Sequence, residues 1–585
     1  MRKPSLAITA AAAISLTLAS CSAGAQVEPA AQETSVSNGT DTTNPPTASE
    51  QLATLYEPGV VDASGGGAQD WDGGTITTGG TYRITGEDGG ITVDAPTETV
   101  VLVLDNAKVS GRVSIDADAA ALVLNGNSTV AATGLGTDEG AIHATSDLTV
   151  TGSGALAVES DGDGVVAKDD LVIEGGSLTI NSGDDAIRGT DSVSVRDGAV
   201  LQLTAGGDGI AATKDDDDTK GWIHIDGGDV AIEAADDSLS AFNDVIVTGG
   251  DLKLTAADKG INAGRYILTS AGQLLIDAAD DAVHSDGALR LSGGDIEVTA
   301  QDDGVHAEVA AVLDGAKLTV LNSEEALEAG LITISDGELD LTATDDGINA
   351  SGSTTVEEGL AAKDSADSSG EETLAPADME PGEMPERPSA MGERKEPPSG
   401  GGAMGENSGE QLTIAGGAVT VDAGGDGLDS NGDATISGGT VTIFGPTSNA
   451  NGALDTNGSL SVTGGELWAV GSSGMAEAPN STGGQAWLQA NVDMRAGDEV
   501  IVADGGGSPI ATLALAKDAQ NIVYSSPTLD AGGTYTVNGT EVAANTATQS
   551  TAGRPGDMPN GGPGIPPAHG DVRVAVLPQD RREDA

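Results

Sequence analysis

The chain has 585 residues, of which 86 are glycine, and Phe, Trp and Tyr together make up 2%. So few aromatic side chains exclude a large core built on aromatic packing, but not a long, thin core of Val, Ile, Leu and Ala. The formal net charge of −67 argues against nucleic acid or an anionic lipid surface as a partner and favours cations.

The N-terminus has the pattern of a bacterial export signal. Arg2 and Lys3 precede an apolar stretch from Leu6 to Leu18, and the sequence Leu18-Ala19-Ser20-Cys21 resembles the lipobox of bacterial lipoproteins. We therefore expect cleavage before Cys21, lipidation of Cys21 and a position on the outer face of the bacterial cytoplasmic membrane. An ordinary secretory signal with a chance cysteine is the alternative. Since Cys21 is the one cysteine, no internal disulfide can form.

Composition divides the chain into eight segments. In order, they are a lipoprotein signal peptide (1–20), a disordered tether (21–54), an N-terminal β cap with the first coils (55–137), a repeat region with acidic turns (138–358), a disordered insertion rich in Pro, Met, Glu and Gly (359–410), a continuation of the repeat (411–480), a small β cap (481–545) and a disordered tail (546–585).

Within the repeat, apolar residues alternate with a period of two. Leu171-Val172-Ile173, Gly175-Gly176 and Leu178-Thr179-Ile180 form one example, and the pattern returns about every 22 residues. Short strands separated by glycine turns at a fixed period are typical of a solenoid in which each repeat is one coil. The sequence predicts an all-β, right-handed parallel β-helix.

One acidic phrase marks the same place in each repeat, as in Asp280-Asp281-Ala282-Val283 and Asp302-Asp303-Gly304-Val305. Stacked coils lie about 4.8 Å apart, so the phrase predicts a column of carboxylates along one corner. The second positions of the phrase are Asp163, Asp185, Asp208, Asp237, Lys259, Asp281, Asp303, Glu325 and Asp346. An acidic surface kept only for solubility does not explain this regular placement.

The column requires a counter-charge. Unit charges at this spacing repel by about 0.9 kcal/mol in water and about 3.5 kcal/mol at an effective dielectric constant of 20. Since 25 Lys and Arg face 92 acids, bound Ca²⁺ is the economical partner. The predicted ligands are Asp163, Asp184, Asp185, Asp208, Asp236, Asp237, Asp258, Asp280, Asp281, Asp302, Asp303, Asp345, Asp346 and Asp426.

Other interpretations of these turns do not require bound calcium. Each Asp can cap its turn through backbone hydrogen bonds while its charge is solvated. The ammonium of Lys259, which replaces one acid, can fill a site itself. Mg²⁺ fits less well than Ca²⁺ because it requires a strict octahedron, and no cluster of Cys and His indicates zinc.

A polar column is expected three residues after the second acid. Its members are predicted to point outward and to bind an extended sugar chain, with a solvated face as the alternative. They are Arg188, Asn262, His284, His306, Glu328, Asn349 and Asp429. His284 and His306 should be neighbours. A pair of histidines can bind metal, although two histidines on a solvent face commonly have no such role.

An acidic loop, Asp215 to Trp222, lengthens one coil to 29 residues. It is expected to protrude, with Trp222 available to stack on a sugar. A solvated run of charge is the alternative.

Several of these segments resemble a bacterial family of secreted carbohydrate-binding β-helix proteins, which bind cellulose and acidic sugars and are related in fold to polysaccharide lyases. The segments are the Asp-Asp-Gly-Ile repeats, Lys220-Gly221-Trp222-Ile223, Gly445-Pro446-Thr447, Asn451-Gly452-Ala453-Leu454-Asp455 and Gly471 to Ala476. The resemblance covers roughly residues 70–545. It implies a right-handed parallel β-helix, calcium at the acidic turns and polysaccharide binding.

The predicted function is a monomeric, lipid-anchored surface protein that binds cellulose or acidic plant or microbial glycans through a calcium-stabilised β-helix. One alternative is a calcium-dependent polysaccharide lyase, with Lys168, Arg188, Lys214 or Lys220 as the base. The other is a structural or adhesive surface protein without catalytic activity. None of the four candidate bases lies in a distinctive motif, so an enzyme is the weaker expectation.

Overall fold

The computed structural model describes residues 43–63, 67–136, 139–355, 407–480 and 483–548. The predicted signal peptide, Cys21, most of the predicted insertion and most of the predicted tail lie outside these residues. The described part is a parallel β-solenoid of about 15 turns, which confirms the predicted parallel β-helix. Its one α-helix, Ala48–Leu52, is short, and no helix of the described residues is long and apolar enough to cross a membrane.

Each coil contributes one strand to each of three faces, named A, B and C in the order in which the chain visits them. Face A contains Asp147–Gly152, Asp170–Ile173, Ser192–Val195, Trp222–Ile225, Asp244–Val247, Tyr266–Thr269, Ala288–Leu291, Gln411–Ile414, Asp433–Ile436 and Leu460–Val462. Face B contains Asn127–Ala132, Ala155–Ser160, Gly176–Asn181, Ala199–Ala205, Asp229–Ala234, Asp251–Ala256, Gln273–Ala278, Asp295–Thr299, Ala418–Ala423, Thr440–Phe444 and Glu466–Gly471. Face C contains Gly140–Ala144, Asp163–Ala167, Ile187–Gly189, Ile210–Ala212, Leu239–Ala241, Ile261–Ala263, Val283–Ser285, Ile348–Ala350, Leu428–Ser430 and Leu454–Thr456.

Four long strands bend around corners and so belong to more than one face. They are Ile91–Val109, Val113–Asn125, His306–Asn322 and Leu327–Ala343, while Gln69–Asp70 and Gly80–Asp88 begin the solenoid. Pairing continues directly across the predicted insertion, since Leu341 is in register with Val421. The insertion therefore leaves the stacking of the coils unchanged.

The core is a set of aliphatic ladders inside the coils. Parallel register places Val245, Ile267 and Leu289 of face A above one another, and all three are fully buried. The corner between faces A and B needs glycine, because Gly250 has a φ of 96° and a Cβ there would lie 3.2 Å from the carbonyl oxygen of Gly228. The alternating pattern of the sequence thus becomes an inward ladder and an outward one.

Residues 43–63, called the strap, run along the outside of face A against the direction of coil stacking. Arg290 donates to the carbonyl of Pro45 at 3.1 Å, Gln51 donates to Asp244 at 2.6 Å, and the backbone N–H of Val61 donates to Thr149 at 2.9 Å. A capping box between Thr47 and Glu50 begins the short helix within it. The tether was predicted to extend to residue 54, whereas the structure packs residues 43–54 onto the solenoid.

The strap explains why part of the outward side of face A is apolar. Ala48 packs against the outward side chains of Ile246, Tyr266 and Leu268, and Val61 contacts the outward side of the first coils. At the C-terminal end the sheet turns antiparallel through Ala519–Ser525 and Trp487–Met494. A separate four-stranded sheet follows, formed by Glu499–Ala503, Pro509–Ala514, Thr534–Val537 and Thr540–Ala543.

Candidate functional site

The acidic phrase forms the corner between faces B and C. Its two acids form two columns, an outer column from the first acid and an inner column from the second. Outer residues such as Asp236 and Asp302 are exposed, whereas inner residues such as Asp237 and Asp303 are 5% and 7% exposed. The residue after the pair is small because it points into the coil, where a Cβ on Gly347 would lie 2.1 Å from Val421.

Carboxylates of the inner column accept hydrogen bonds from the backbone of the next coil. Asp185 Oδ1 accepts from the N–H of Asp208 at 3.0 Å, and Asp208 Oδ1 accepts from the N–H of Asp237 at 3.1 Å. The same contact joins Asp163 to Asp185, Asp237 to Lys259, Asp281 to Asp303, Asp346 to Asp426 and Asp426 to Gly452. The aspartates therefore cap the turns, with a partner one coil away where a local one was expected.

Cationic and amide side chains neutralise part of the inner column. Arg188 forms an ion pair with Asp163, whose side chain is fully buried. Asn262 donates to Asp237 Oδ2 at 2.7 Å. Lys259 contacts the outer acids Asp258 and Asp280, so its ammonium occupies this corner as the sequence allowed.

Two histidines lie beside the inner column, in adjacent coils. His284 is in register with His306, as predicted, and their rings meet edge to face with centroids 5.0 Å apart. His284 Nδ1 lies 2.7 Å from Asp281 Oδ2, and His306 Nδ1 lies 3.5 Å from the same oxygen. Despite the cost of burial, these carboxylate partners raise the pKa of His284 to about 9.

The C-terminal coils carry a denser patch of acid, formed by Glu325, Glu328, Asp346, Asp426, Asp429 and Asp455. Among the described residues, no lysine or arginine forms an ion pair with any of these six side chains. Burial, with Glu325 and Asp303 nearby, raises the pKa of Glu328 to about 10. Burial, with Asp346 nearby, likewise raises the pKa of Asp426 to about 8. This patch gains most from a bound cation.

Asp455 belongs to this patch and Glu477 lies beside it, and neither was among the predicted ligands. Asp455 is in register with Asp429, and burial, with Asp455 nearby, raises the pKa of Glu477 to about 7. Asp455 lies 26 residues after Asp429, which is longer than the usual spacing of about 22, whereas Glu477 follows Asp455 by 22. Extending the polar column beyond Asp429 would have found Asp455.

Three acidic sets bring ligand oxygens within 4.8 Å of one another: Asp163 with Asp184 and Asp185, Asp236 with Asp237 and Asp258, and Asp280 with Asp281 and Asp302. Each joins outer and inner acids, as in the predicted calcium sites, and each also contacts a cation: Arg188 at Asp163, and Lys259 at Asp258 and Asp280. Carboxylates of this kind fit the oxygen preference of Ca²⁺, and the turn carbonyls and water offer the further ligands that it needs.

The polar column predicted to face a glycan folds back onto the acids. Arg188, Asn262 and His284 contact the inner column, and Asn349 is 7% exposed with its amide donating to Glu325 at 2.9 Å. The prediction of a free outward ladder is wrong in this respect. Nearby buried carboxylates outcompete water for these donors.

Trp222 does not protrude from the acidic loop. It begins a strand of face A, is 2% exposed, and lies under the strap with its ring 6.1 Å from that of Tyr56. Its Nε1 donates to the carbonyl of Thr219 at 3.0 Å. The expectation of a free sugar-stacking ring is therefore wrong, because the strap covers this part of face A.

Most of the solenoid described above matches the model of a known family. The model of a family described as "Carbohydrate-binding domain-containing protein" matches residues 72–304 and 285–452, which is more than half of the chain. The chain belongs to this family. No curated protein and no solved structure matches it. The matched residues include most of the coils that carry the acidic corner.

Proposed function

We propose that the protein is a lipoprotein of the bacterial cell surface, anchored through Cys21, which binds extracellular polysaccharide through a calcium-stabilised β-helix. Membership of a carbohydrate-binding family supports polysaccharide as the partner class. The glycans proposed are cellulose and acidic plant or microbial polysaccharides. The observation that carries the calcium is the corner itself, where outer and inner carboxylates converge coil after coil.

The two acid columns suit two different roles. Oδ1 of most inner acids is already used by backbone N–H groups, so these residues fix the corner in place. The outer acids, such as Asp236, Asp302 and Asp345, are exposed and keep their oxygens directed toward solvent. A Ca²⁺ ion held by one inner and two outer carboxylates retains positions for ligands from solution.

Those positions allow an acidic glycan to bind a protein of net charge −67. A carboxylate of the sugar completes the coordination shell of the Ca²⁺, and the ion removes the repulsion between the two polyanions. Because three such acidic sets lie along one corner, an extended chain of sugars can contact more than one of them at once.

The lyase alternative gains no support from three of its four candidate bases. Lys214 contacts Asp216 at 2.7 Å and Lys220 contacts Asp191 at 2.5 Å, and both contacts raise the pKa of the lysine. A general base requires a pKa shifted in the opposite direction. Arg188 is already paired with Asp163.

The proposal is tested by binding of the full chain to polygalacturonate and to cellulose, in Ca²⁺ and in chelator. We expect binding to polygalacturonate that requires Ca²⁺. Asparagine at Asp236, Asp302 and Asp345 together should weaken it at least tenfold, while asparagine at the exposed Asp229 and Asp251 and glutamine at Glu297 should not. The control triple removes the same charge from exposed sites outside the corner.

If the chain binds neither glycan, with or without Ca²⁺, the proposal is overturned in favour of a structural or adhesive role. Release of unsaturated uronides from polygalacturonate in Ca²⁺, lost on Lys220→Ala, would overturn it in favour of a lyase.

A further inference from the structure

The corner is not uniform along the solenoid, and one stretch departs from an all-oxygen site. At Asp281 the inner acid contacts two imidazoles: Nδ1 of His284 at 2.7 Å and Nδ1 of His306 at 3.5 Å. Asp281 Oδ1 already accepts from the N–H of Asp303 at 2.9 Å, so Oδ2 serves both rings. A calcium site centred on Asp281 would leave these nitrogens without a role, since Ca²⁺ prefers oxygen ligands.

We propose that Asp281, His284 and His306, with Asp303 as a fourth ligand, form a site for a borderline divalent transition metal of the Zn²⁺ class. Such a metal prefers a mixed set of imidazole and carboxylate ligands. Nδ1 of His306 lies 3.5 Å from both Asp281 Oδ2 and Asp303 Oδ2. In a tetrahedron with bonds of about 2.0 to 2.1 Å, ligand atoms lie about 3.3 Å apart, so these two separations need little adjustment, whereas the 2.7 Å between His284 Nδ1 and Asp281 Oδ2 must lengthen.

A further contact suits a metal-bound histidine. Nε2 of His284, the nitrogen directed away from the site, lies 3.4 Å from Asp286 Oδ1. Metal-bound histidines commonly donate their distal N–H to a carboxylate, which orients the ring and raises its basicity as a ligand. Asp286 would therefore orient the His284 ring from outside the metal site, through the ring nitrogen that does not face Asp281.

The four side chains are mostly buried, but the two histidines remain partly accessible to ions from solution. The side chains of Asp281 and Asp303 are 7% and 10% exposed, and those of His284 and His306 are 14% and 21% exposed. Glu328, from the next coil, places a carboxylate oxygen within 4.8 Å of ligand atoms of Asp303 and His306 and can serve as a further ligand. Adjacent coils of the solenoid supply these groups, so coil stacking preorganises the site.

This site shares Asp281 with one of the three acidic sets, and its test separates metal binding by the histidines from the glycan function proposed above. The full chain, expressed without a polyhistidine tag and stripped with chelator, is titrated with Zn²⁺ in excess Ca²⁺, which fills the all-oxygen sites. We expect one tight equivalent of Zn²⁺. The double variant His284→Gln/His306→Gln should bind it on the order of 100-fold more weakly.

The matched control is His143→Gln/His224→Gln, which removes a histidine from an early coil of face C and one from face A, both far from Asp281, and should leave Zn²⁺ affinity unchanged. Calcium-dependent glycan binding should persist in both double variants. Zn²⁺ binding that is equally tight in the His284/His306 variant, or no tight Zn²⁺ binding by the wild type in excess Ca²⁺, would overturn the proposal.

A second measurement needs no variant and so does not depend on the folding of one. Co²⁺ bound to the wild-type chain should give the visible absorption of a four-coordinate site, and X-ray absorption of the Zn²⁺ form should contain the scattering of imidazole. A purely oxygen-ligated spectrum would overturn the assignment of His284 and His306 as ligands.

Discussion

Asp281 Oδ1 accepts a hydrogen bond from the backbone N–H of Asp303 at 2.9 Å, one coil further along the solenoid. Equivalent contacts recur at most of the acidic turns, so the inner column consists of carboxylates that are each fixed by the neighbouring coil. A hydrogen bond from a backbone N–H offsets only part of the cost of burying a charged carboxylate beside another carboxylate. The remaining cost is largest where no basic side chain lies nearby.

Asp208 provides a direct test of this cost of a buried negative charge. Burial, with Asp185 and Asp237 nearby, raises its pKa from 3.8 to about 8. Between these pH values the folded protein holds a proton that the unfolded chain does not, so stability falls as pH rises through this range. In chelator, Asp208→Asn keeps the acceptor for the N–H of Asp237 and should flatten this part of the melting curve against pH, with a higher melting temperature near pH 8.

Asp208→Ala is the matched control, since it removes both the charge and the acceptor. It leaves the N–H of Asp237 without its partner and should cost about 1 to 3 kcal/mol. Melting curves of the wild type and Asp208→Asn that stay parallel from acid to about pH 8 would exclude the raised pKa.

Arg188 should be worth more to stability than an ordinary surface arginine. Its partner Asp163 is fully buried, and Arg188→Ala leaves that charge uncompensated, at a cost of about 3 kcal/mol or more. The control is Arg196→Ala, whose ion pair with Glu174 is about one third exposed and should cost under about 1 kcal/mol. Denaturant unfolding measures both, and equal losses would mean that the Asp163 pair is no stronger than a surface one.

The strap should detach when its buried contact with face A is disrupted. Ala48 is 2% exposed against Tyr266 and Leu268, so Ala48→Asp places a charge in an apolar cluster. We expect chymotrypsin to cleave after Tyr56 much faster in this variant, as mass spectrometry would detect. Ala53→Asp, at an exposed position of the same segment, should cleave at the wild-type rate. Unchanged cleavage of both would contradict the packing of the strap.

Coil stacking was predictable from the sequence because it is local and periodic. A repeat of about 22 residues fixes which side chains share a column, so the neighbouring positions of His284 and His306 followed directly. The repeat could not fix the direction of the polar side chains. Whether Arg188 and Asn262 face water or fold back depends on how deeply Asp163 and Asp237 are buried, which emerges only on packing.

Trp222 illustrates a second limit. Its cover, Tyr56, comes from a segment more than a hundred residues earlier in the chain, and the strap has no repeat that would indicate face A as its partner. The low aromatic content predicted a thin aliphatic core correctly but gave no indication that Trp222 and Tyr56 would meet. Contacts between a non-repeating segment and a repeating one leave no periodic signal.

The most direct test of the calcium-stabilised corner is the melting temperature of the full chain near pH 8, where Asp208 and Asp426 lose their protons, in chelator, in Ca²⁺ and in Mg²⁺. Each site occupied at a hundred times its Kd adds about 2.7 kcal/mol. We therefore predict a melting temperature several degrees higher in Ca²⁺ than in chelator, with a smaller rise in Mg²⁺. Identical melting temperatures in Ca²⁺ and in chelator would contradict the account.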